Sequence, residues 1–314
     1  MEAISRKLTR KQISVRLASI ERVLPELEDR LDPCALCPRR CGARRRHGEI
    51  GECGLQDQLR IAAVARHRGE EPPISGSNGA INIFFTGCNL HCMHCQNWPI
   101  SQNHVGRDMD PAGLAGLVLR KWRRGAQSLG WVTPTPQIVS ALESYRICLQ
   151  SGFDLPLVHN NGGYEDPEII RLLAGITDIW LPDIKTRDAM QGREVQGVND
   201  YPRCNEEALR AMVVQVKRRE ARAVIVRYLA LPDHLEDAER TLKWLRETFQ
   251  DEIHLSLMAQ YFPIYRTQRH ASLGRRLTPE EYQAVIHHAQ SLGFEQGWVQ
   301  RHGEEDGIPL SCLS

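Results

Sequence analysis

Three cysteines stand close together in Thr86-Gly87-Cys88-Asn89-Leu90-His91-Cys92-Met93-His94-Cys95-Gln96-Asn97, directly after the apolar run Ala80 to Phe85. Thiolates at this spacing suit a soft metal centre. A cubane iron–sulfur cluster is normally held by four cysteines, so Cys88, Cys92 and Cys95 would leave one iron open to a ligand that can be transformed. Zinc also fits, with His91 or His94 completing a tetrahedral set. A second group, Cys34, Cys37, Cys41 and Cys53, offers four thiolates, with Gly42, Gly48, Gly51 and Gly54 between and around them to let the backbone fold about an ion. Structural zinc and an auxiliary [4Fe–4S] cluster take the same four ligands, and free buried cysteines are the reading without metal.

The elements that must position these groups read as an alternating α/β chain. Apolar runs at Ala80–Phe85, Leu129–Thr133, Leu155–Asn160, Asp178–Ile184, Ala223–Leu231 and His254–Gln260 predict strands. Amphipathic stretches near Pro111–Arg124, Pro136–Ser151, Asp166–Ala174, Asn205–Arg219 and Leu235–Phe249 predict the helices between them. Parallel strands need such crossovers, so the expected architecture is an open, partial (β/α)6 TIM-like barrel. Chemistry in barrels of this kind sits at the C-terminal ends of the strands. The cysteine loop, Asn160-Asn161-Gly162-Gly163, Asp183-Ile184-Lys185, Arg227 and Met258-Ala259-Gln260-Tyr261 all fall there.

Around this core, Leu8, Ile13, Leu17, Ile20, Leu24, Leu27 and Leu31 predict an N-terminal helix broken or kinked at Pro25. Glu70-Glu71-Pro72-Pro73-Ile74-Ser75-Gly76-Ser77-Asn78-Gly79 is rich in turn formers and reads as a linker into the next domain. The expected division is 1–33 N-terminal helix, 34–75 Cys-rich metal-binding segment and linker, 76–262 barrel and 263–314 C-terminal extension. That extension carries a capped helix from Thr278 to Gly293 and a short edge strand at Gly297–Gln300. Cys148 belongs to the core; Cys204 and Cys312 are isolated thiols, with Cys204 a candidate to face the site.

The chain has 314 residues, 41% hydrophobic and 25% charged, with net charge +1. A near-zero net charge gives no field for nucleic acid or a membrane surface. Arg39, Arg40, Arg44, Arg45, Arg46 and His47 lack interleaved aromatics, so they are expected to offset thiolate charge. No apolar run approaches the length of a membrane span, and no signal-peptide core is present, which leads to an expected cytoplasmic location.

At the motifs above, the chain resembles the radical S-adenosylmethionine (SAM) superfamily. Within it, the chain is similar to the pyruvate formate-lyase (glycyl-radical enzyme) activating enzyme-like branch. The motifs that carry this are Cys34-Ala35-Leu36-Cys37-Pro38-Arg39-Arg40-Cys41, Glu71-Pro72-Pro73-Ile74-Ser75-Gly76, Gly87-Cys88-Asn89-Leu90 through Cys95-Gln96-Asn97, and Leu257-Met258-Ala259-Gln260-Tyr261-Phe262-Pro263. The resemblance implies a [4Fe–4S] cluster on Cys88, Cys92 and Cys95 with SAM on the open iron. It also implies that Lys185 meets the SAM carboxylate, that Asp183 helps hold a cation or the substrate end, and that Arg227 contacts SAM. For the Asp183–Lys185 pair the alternative is an ordinary ion pair at a strand end, and for Arg227 a helix-facing salt bridge; for Asn160 and Asn161, which the resemblance puts around the SAM methionine or a monovalent cation, it is a turn cap.

Three departures stand out. His94 occupies the position before the third cysteine where an aromatic residue contacts adenine in relatives. Val132-Thr133-Pro134-Thr135-Pro136 replaces a Gly-Gly-Glu-Pro-like loop, leaving Thr133 and backbone carbonyls to bind the SAM amino group. Tyr265 is nearest to a late histidine of the prototype. The implied function is reductive SAM cleavage to a 5′-deoxyadenosyl radical, with a reduced flavodoxin or ferredoxin as electron donor and a glycine of a partner protein as substrate. Alternatives are a small-molecule or modified-peptide substrate, an iron–sulfur electron-transfer protein that does not use SAM, and a zinc-stabilised nucleic-acid module using Arg39 to Arg46.

Overall fold

The computed structural model of the chain describes residues 4–300 and the backbone of a strand at Gly307–Pro309; Cys312 lies outside the described residues. One sheet runs through it. Its strands in chain order are β1 (Arg60–His67), β2 (Ala80–Phe85), β3 (Arg107–Asp108), β4 (Ser128–Val132), β5 (Leu157–Asn161), β6 (Ile179–Ile184), β7 (Ala223–Leu229), β8 (His254–Met258), β9 (Gly297–Gln300) and β10 (Gly307–Pro309). Across the sheet they lie in the order β10-β9-β8-β7-β6-β5-β4-β2-β1-β3. From β2 to β9 every neighbouring pair is parallel, while β1, β3 and β10 add antiparallel edges.

The parallel strands are near-continuous apolar runs because both faces are covered. Helices at Pro111–Trp122, Ile138–Gln150, Pro167–Leu172, Tyr201–Lys217, Leu235–Phe249 and Pro279–Ser291 form the outer layer. On the inner face, Ala80, Val158, Ile179, Leu181, Ala223, Ile225 and Trp298 make one buried cluster. Because Ala80 on β2 and Trp298 on β9 share that cluster, the sheet curls on itself into an α/β partial barrel, unclosed as expected.

Three expectations need correction. Glu70 to Gly79 is not a linker: Pro72–Ser75 forms a helical turn, and Ile74 lies in the inner-face cluster, so this segment floors the barrel. Two prolines at the start of a turn suit helix N-termini as well as loops, and composition alone does not separate the two. Second, Pro25 neither breaks nor ends its helix, which runs from Arg10 to Asp29 behind a Thr9–Gln12 capping box. Buried Ile20, Val23, Leu24 and Leu27 on the same face outweigh one missing hydrogen bond. Third, the edge strand expected at Gly297–Gln300 is flanked on both sides, by β8 and β10. The sheet also passes both expected boundaries, since β1 lies before residue 76 and β9 after residue 262.

The N-terminal helix is fixed from below. Arg16, 5% exposed, donates from Nη1 and Nη2 to Asp178 at 2.7 and 3.1 Å and from Nη1 to Tyr145 Oη at 2.8 Å. Asp178 also accepts from the Leu157 backbone N–H at 2.8 Å and pairs with Arg222 at 2.9 Å, tying helix and sheet at the end away from the cysteine loop.

Candidate active site

β2 ends at Phe85, and the chain turns sharply at Gly87, φ +74°. A Cβ there would lie 2.7 Å from Leu55 Cδ1 and 2.8 Å from Cys53 O, so only glycine fits. The loop that follows is held from two sides. Gln196 O accepts from His91 N–H at 3.0 Å and Val195 O from Met93 N–H at 2.8 Å, while Cys95 Sγ lies 3.2 Å from Ser101 Oγ. Burial and the neighbouring Cys92 push the Cys88 thiol up; burial pushes Cys92 up to about 12 against the pull of Lys185. Buried thiols of this kind give up their protons to a metal.

The strand ends complete one cavity. Cys88, Cys92, Cys95 and His94 line it from the loop, and Thr133, Asn160, Asn161, Asp183, Lys185 and Arg227 line it from β4 to β7. Its volume is about 920 Å³ including the open mouth. Lys185 Nζ sits 2.6 Å from Asp183 Oδ2. Burial works against its charge, yet Asp183 and Cys92 outweigh burial and hold the ammonium above its ordinary range. Tyr201 Oη fixes this corner, donating toward Gly162 O at 2.9 Å and accepting from Lys185 N–H at 3.1 Å. Thr133 has φ +57°, a left-handed conformation that a β-branched residue holds only under constraint.

Several of these residues hold partners within the chain. Arg227 is committed to two carboxylates of the floor segment, pairing with Glu71 through Nε–Oε1 and Nη2–Oε2 at 2.7 Å each and with Glu70. It lines the cavity while holding this ion pair. Asn161 caps the following turn, its Oδ1 accepting from Gly163 N–H at 2.9 Å; Asn160 faces the cavity from β5. His94 is buried with Nδ1 lacking a hydrogen-bond partner, and burial lowers its pKa to about 3, so the ring is a neutral imidazole. Tyr265 stacks on Trp98 at 5.3 Å, off the cavity wall. Cys148 is in the core, and Cys204 is buried beside the loop, in one cluster with Leu90, Cys92, Tyr164 and Tyr201.

Sequence reasoning missed the floor carboxylates Glu70 and Glu71, and Glu165. A fully buried Glu165 accepts from Thr135 Oγ1 at 2.7 Å, and burial pushes its carboxyl up to about 8 against that hydrogen bond. When ionised, it would push both the Cys37 and the Cys88 thiols up. No spacing signal marked these acids; only burial does.

Cys34, Cys37, Cys41 and Cys53 also come together. A Cβ on Gly51 would lie 3.4 Å from Cys41 Sγ and 3.6 Å from Cys53 Sγ, and Arg45 Nη1 is 3.9 Å from Cys34 Sγ. Burial pushes Cys37 up to about 12, with Cys34 and Cys53 adding to it. Among the described residues no three His, Cys, Asp or Glu side chains are already closed around one point, so each cysteine group is gathered rather than assembled. The basic run has internal partners: Arg40 with Asp166, Arg44 and His47 with Asp32, and Arg46 with Glu28. Only Arg45 reaches a thiol.

Three features test whether the loop site suits an iron–sulfur cluster with SAM. Three thiols share one wall, a fixed ammonium stands beside them, and a buried imidazole nitrogen on the same wall is without a partner. The residues fit both groups: soft donors for iron, a cation for a carboxylate and a neutral ring for a base.

No protein-family model matches the chain. An uncharacterised protein of Methanocaldococcus jannaschii is 27% identical over 272 residues, 83% of this chain and 75% of that protein. A second uncharacterised protein of the same organism is 25% identical over 177 residues, and the match spans about half of each, 51%. Among solved structures, a radical SAM methyltransferase from Sphaerobacter thermophilus aligns at TM-score 0.50 with 15% identity, over 70% of this chain and 65% of that enzyme. The structure of anSMEcpe with bound AdoMet aligns at TM-score 0.48 with 13% identity, over 67% and 59%. At such identity the likeness to the methyltransferase is one of fold: the chain has a radical SAM-type partial barrel.

Proposed function

We propose that this chain is a radical SAM enzyme whose cluster is held by Cys88, Cys92 and Cys95. The observation that carries the reading is the meeting of these three thiols with the Asp183–Lys185 pair on the wall of one cavity, at the C-terminal ends of the strands. With SAM bound, a [4Fe–4S] cluster supplies one-electron reductive cleavage to methionine and a 5′-deoxyadenosyl radical, which takes a hydrogen atom from substrate.

The chain's own residues bind, orient and shield. Lys185, held in place by Asp183 and Tyr201, presents a fixed ammonium to a carboxylate and offsets thiolate charge nearby. His94 stays neutral, so it can lie against a base and offer Nδ1 as a hydrogen-bond partner without adding charge. Val132, Leu229 and Met258 give the cavity an apolar wall that keeps water from a carbon radical. Thr133 holds the β4 end in its constrained turn beside Asn160, whose carbonyl accepts from Thr133 N–H at 2.9 Å.

A glycine of a partner protein is the first substrate class, on the resemblance of the motifs to activating enzymes. A specific observation favours a second, a small polar molecule. A second cavity, sharing Val132, Asn160, Arg227, Met258 and Gln260 with the first, is lined by the polar Asn82, Ser256, Gln300, Glu70 and Glu71. The electron donor is a reduced flavodoxin or ferredoxin, and the location cytoplasmic; no helix among the described residues is long and apolar enough to cross a membrane. An electron carrier that ignores SAM has no use for the Asp183–Lys185 corner. Anaerobic reconstitution with iron and sulfide, followed by SAM titration monitored by electron paramagnetic resonance of the reduced cluster, tests the proposal. SAM should change the spectrum, and an unchanged spectrum at saturating SAM counts against it.

A further inference from the structure

We propose that Cys34, Cys37, Cys41 and Cys53 form a second, four-thiolate metal centre, for zinc or an iron–sulfur cluster, that braces the loop carrying Cys88, Cys92 and Cys95. The role of brace rests on the proposed function; the existence of the centre does not.

Local backbone brings the four together. Leu31 and Cys34 form a β-bridge, Cys34 N–H donates to Ala43 O at 3.0 Å, and Gly42 N–H donates back to Cys34 O at 3.1 Å, so Cys34 runs beside Cys41–Ala43. Arg40 N–H bonds Cys37 O at 3.0 Å in a tight turn, with Arg40 at φ +39°. Cys53 comes in from the other side at Gly51, where the space of a single Cβ would touch both Cys41 and Cys53 sulfurs. That point is also 3.7 Å from Arg45 Cδ, and the same arginine reaches Cys34 Sγ. Gly51 thus marks the point on which the Cys41 and Cys53 sulfurs converge.

The charge arrangement matches the chemistry. Four thiolates around zinc or a cluster carry net negative charge, and Arg45 is a fixed cation beside them. It is 2% exposed and anchored to Gln56 O and Pro136 O at 2.7 Å each. Zinc with four thiolates is a closed tetrahedral site that contributes directly to folding, and a cubane cluster takes the same donors.

Two contacts join this centre to the other loop, and a third ties it to His104 just beyond it. Cys53 O packs where Gly87 has no room for a Cβ, and His104 Nε2 meets the same carbonyl at 3.1 Å. Arg39, between Cys37 and Cys41, donates from Nε to Asn89 O at 2.8 Å. Ordering residues 34–53 on a metal therefore fixes both Gly87 and Asn89, the residues flanking Cys88.

Metal and acid-labile sulfide are to be counted in the full chain carrying Cys88→Ala, Cys92→Ala and Cys95→Ala, purified without oxygen. One zinc per chain without sulfide, or about four iron with as much sulfide, supports the proposal and names the metal. No bound metal overturns it. Adding Cys37→Ser and Cys53→Ser should remove the metal, and retention overturns the assignment of ligands. Should that variant fold poorly, Co²⁺ titration of the metal-free triple variant reads the same site: tetrathiolate ligand-field bands support it, and octahedral bands overturn it. For the brace, Cys53→Ser in the otherwise unchanged chain should lower iron occupancy of the loop cluster at least twofold, and full occupancy overturns that role. Loss of SAM cleavage by the wild-type chain would sink the proposed function while leaving the metal count standing.

Discussion

Arg227 and Glu71 meet as two forks, Nε to Oε1 and Nη2 to Oε2 at 2.7 Å each, on the floor of the candidate cavity. Their side chains are 13% and 5% exposed, so neither charge has water to fall back on. Removing one partner of such a pair leaves a buried charge uncompensated, at a cost of about 3–5 kcal/mol. Arg227→Ala should accordingly lower the thermal midpoint by many degrees. Glu71→Ala should do less damage, because Glu70 remains to pair with the arginine. A midpoint for Arg227→Ala equal to wild type would remove the ion pair from the list of what holds the floor.

Lys185 offers a separate test of the cradle. A charge-assisted hydrogen bond is worth about 1.5–3 kcal/mol, or roughly 10- to 150-fold in affinity. Lys185→Met should weaken SAM binding to the reconstituted protein by that factor, read by equilibrium dialysis. Unchanged affinity would return Lys185 and Asp183 to the role of a plain strand-end ion pair.

Gly87 has φ +74° and no space for a methyl group between Leu55 and Cys53. Gly87→Ala should destabilise the fold by more than about 1 kcal/mol and reduce iron uptake on reconstitution. Wild-type iron content together with a wild-type midpoint would contradict the close approach of the two cysteine-bearing segments.

Much of the fold was legible because buried parallel strands leave apolar runs, as in Ala80–Phe85 and Ala223–Leu229. β1 was not, because it is a half-exposed antiparallel strand, Arg60-Ile61-Ala62-Ala63-Val64-Ala65-Arg66-His67, whose alanines carry little strand signal. Cysteine spacing pointed to both thiol groups, and the strand-end rule pointed to Asp183 and Lys185. The floor escaped notice because the role of Glu70 and Glu71 depends on Arg227, more than 150 positions away, and no local pattern carries that information. The same pairing ties Arg227 to the floor while it lines the cavity.

Glu165 makes stability depend on pH. Burial raises its carboxyl to about 8 from the ordinary 4.5, so between those values the folded state holds a proton that the unfolded state has lost. Stability from this group is full below the unfolded value and falls as pH rises toward 8, by at most about 1.4 kcal/mol per unit. Glu165→Gln should flatten this slope. Denaturation midpoints of both proteins at pH 5.5 and pH 8 check it, and parallel profiles would contradict it.

The most direct test is production of 5′-deoxyadenosine by the anaerobically reconstituted, reduced chain supplied with SAM, set beside Cys92→Ala prepared in the same way. The expected result is 5′-deoxyadenosine and methionine in equal amounts from the wild-type chain and none above background from Cys92→Ala. A wild-type chain that holds its cluster yet leaves SAM intact, or a Cys92→Ala chain that cleaves it equally well, would contradict the assignment of Cys88, Cys92 and Cys95 as the centre of a radical SAM enzyme.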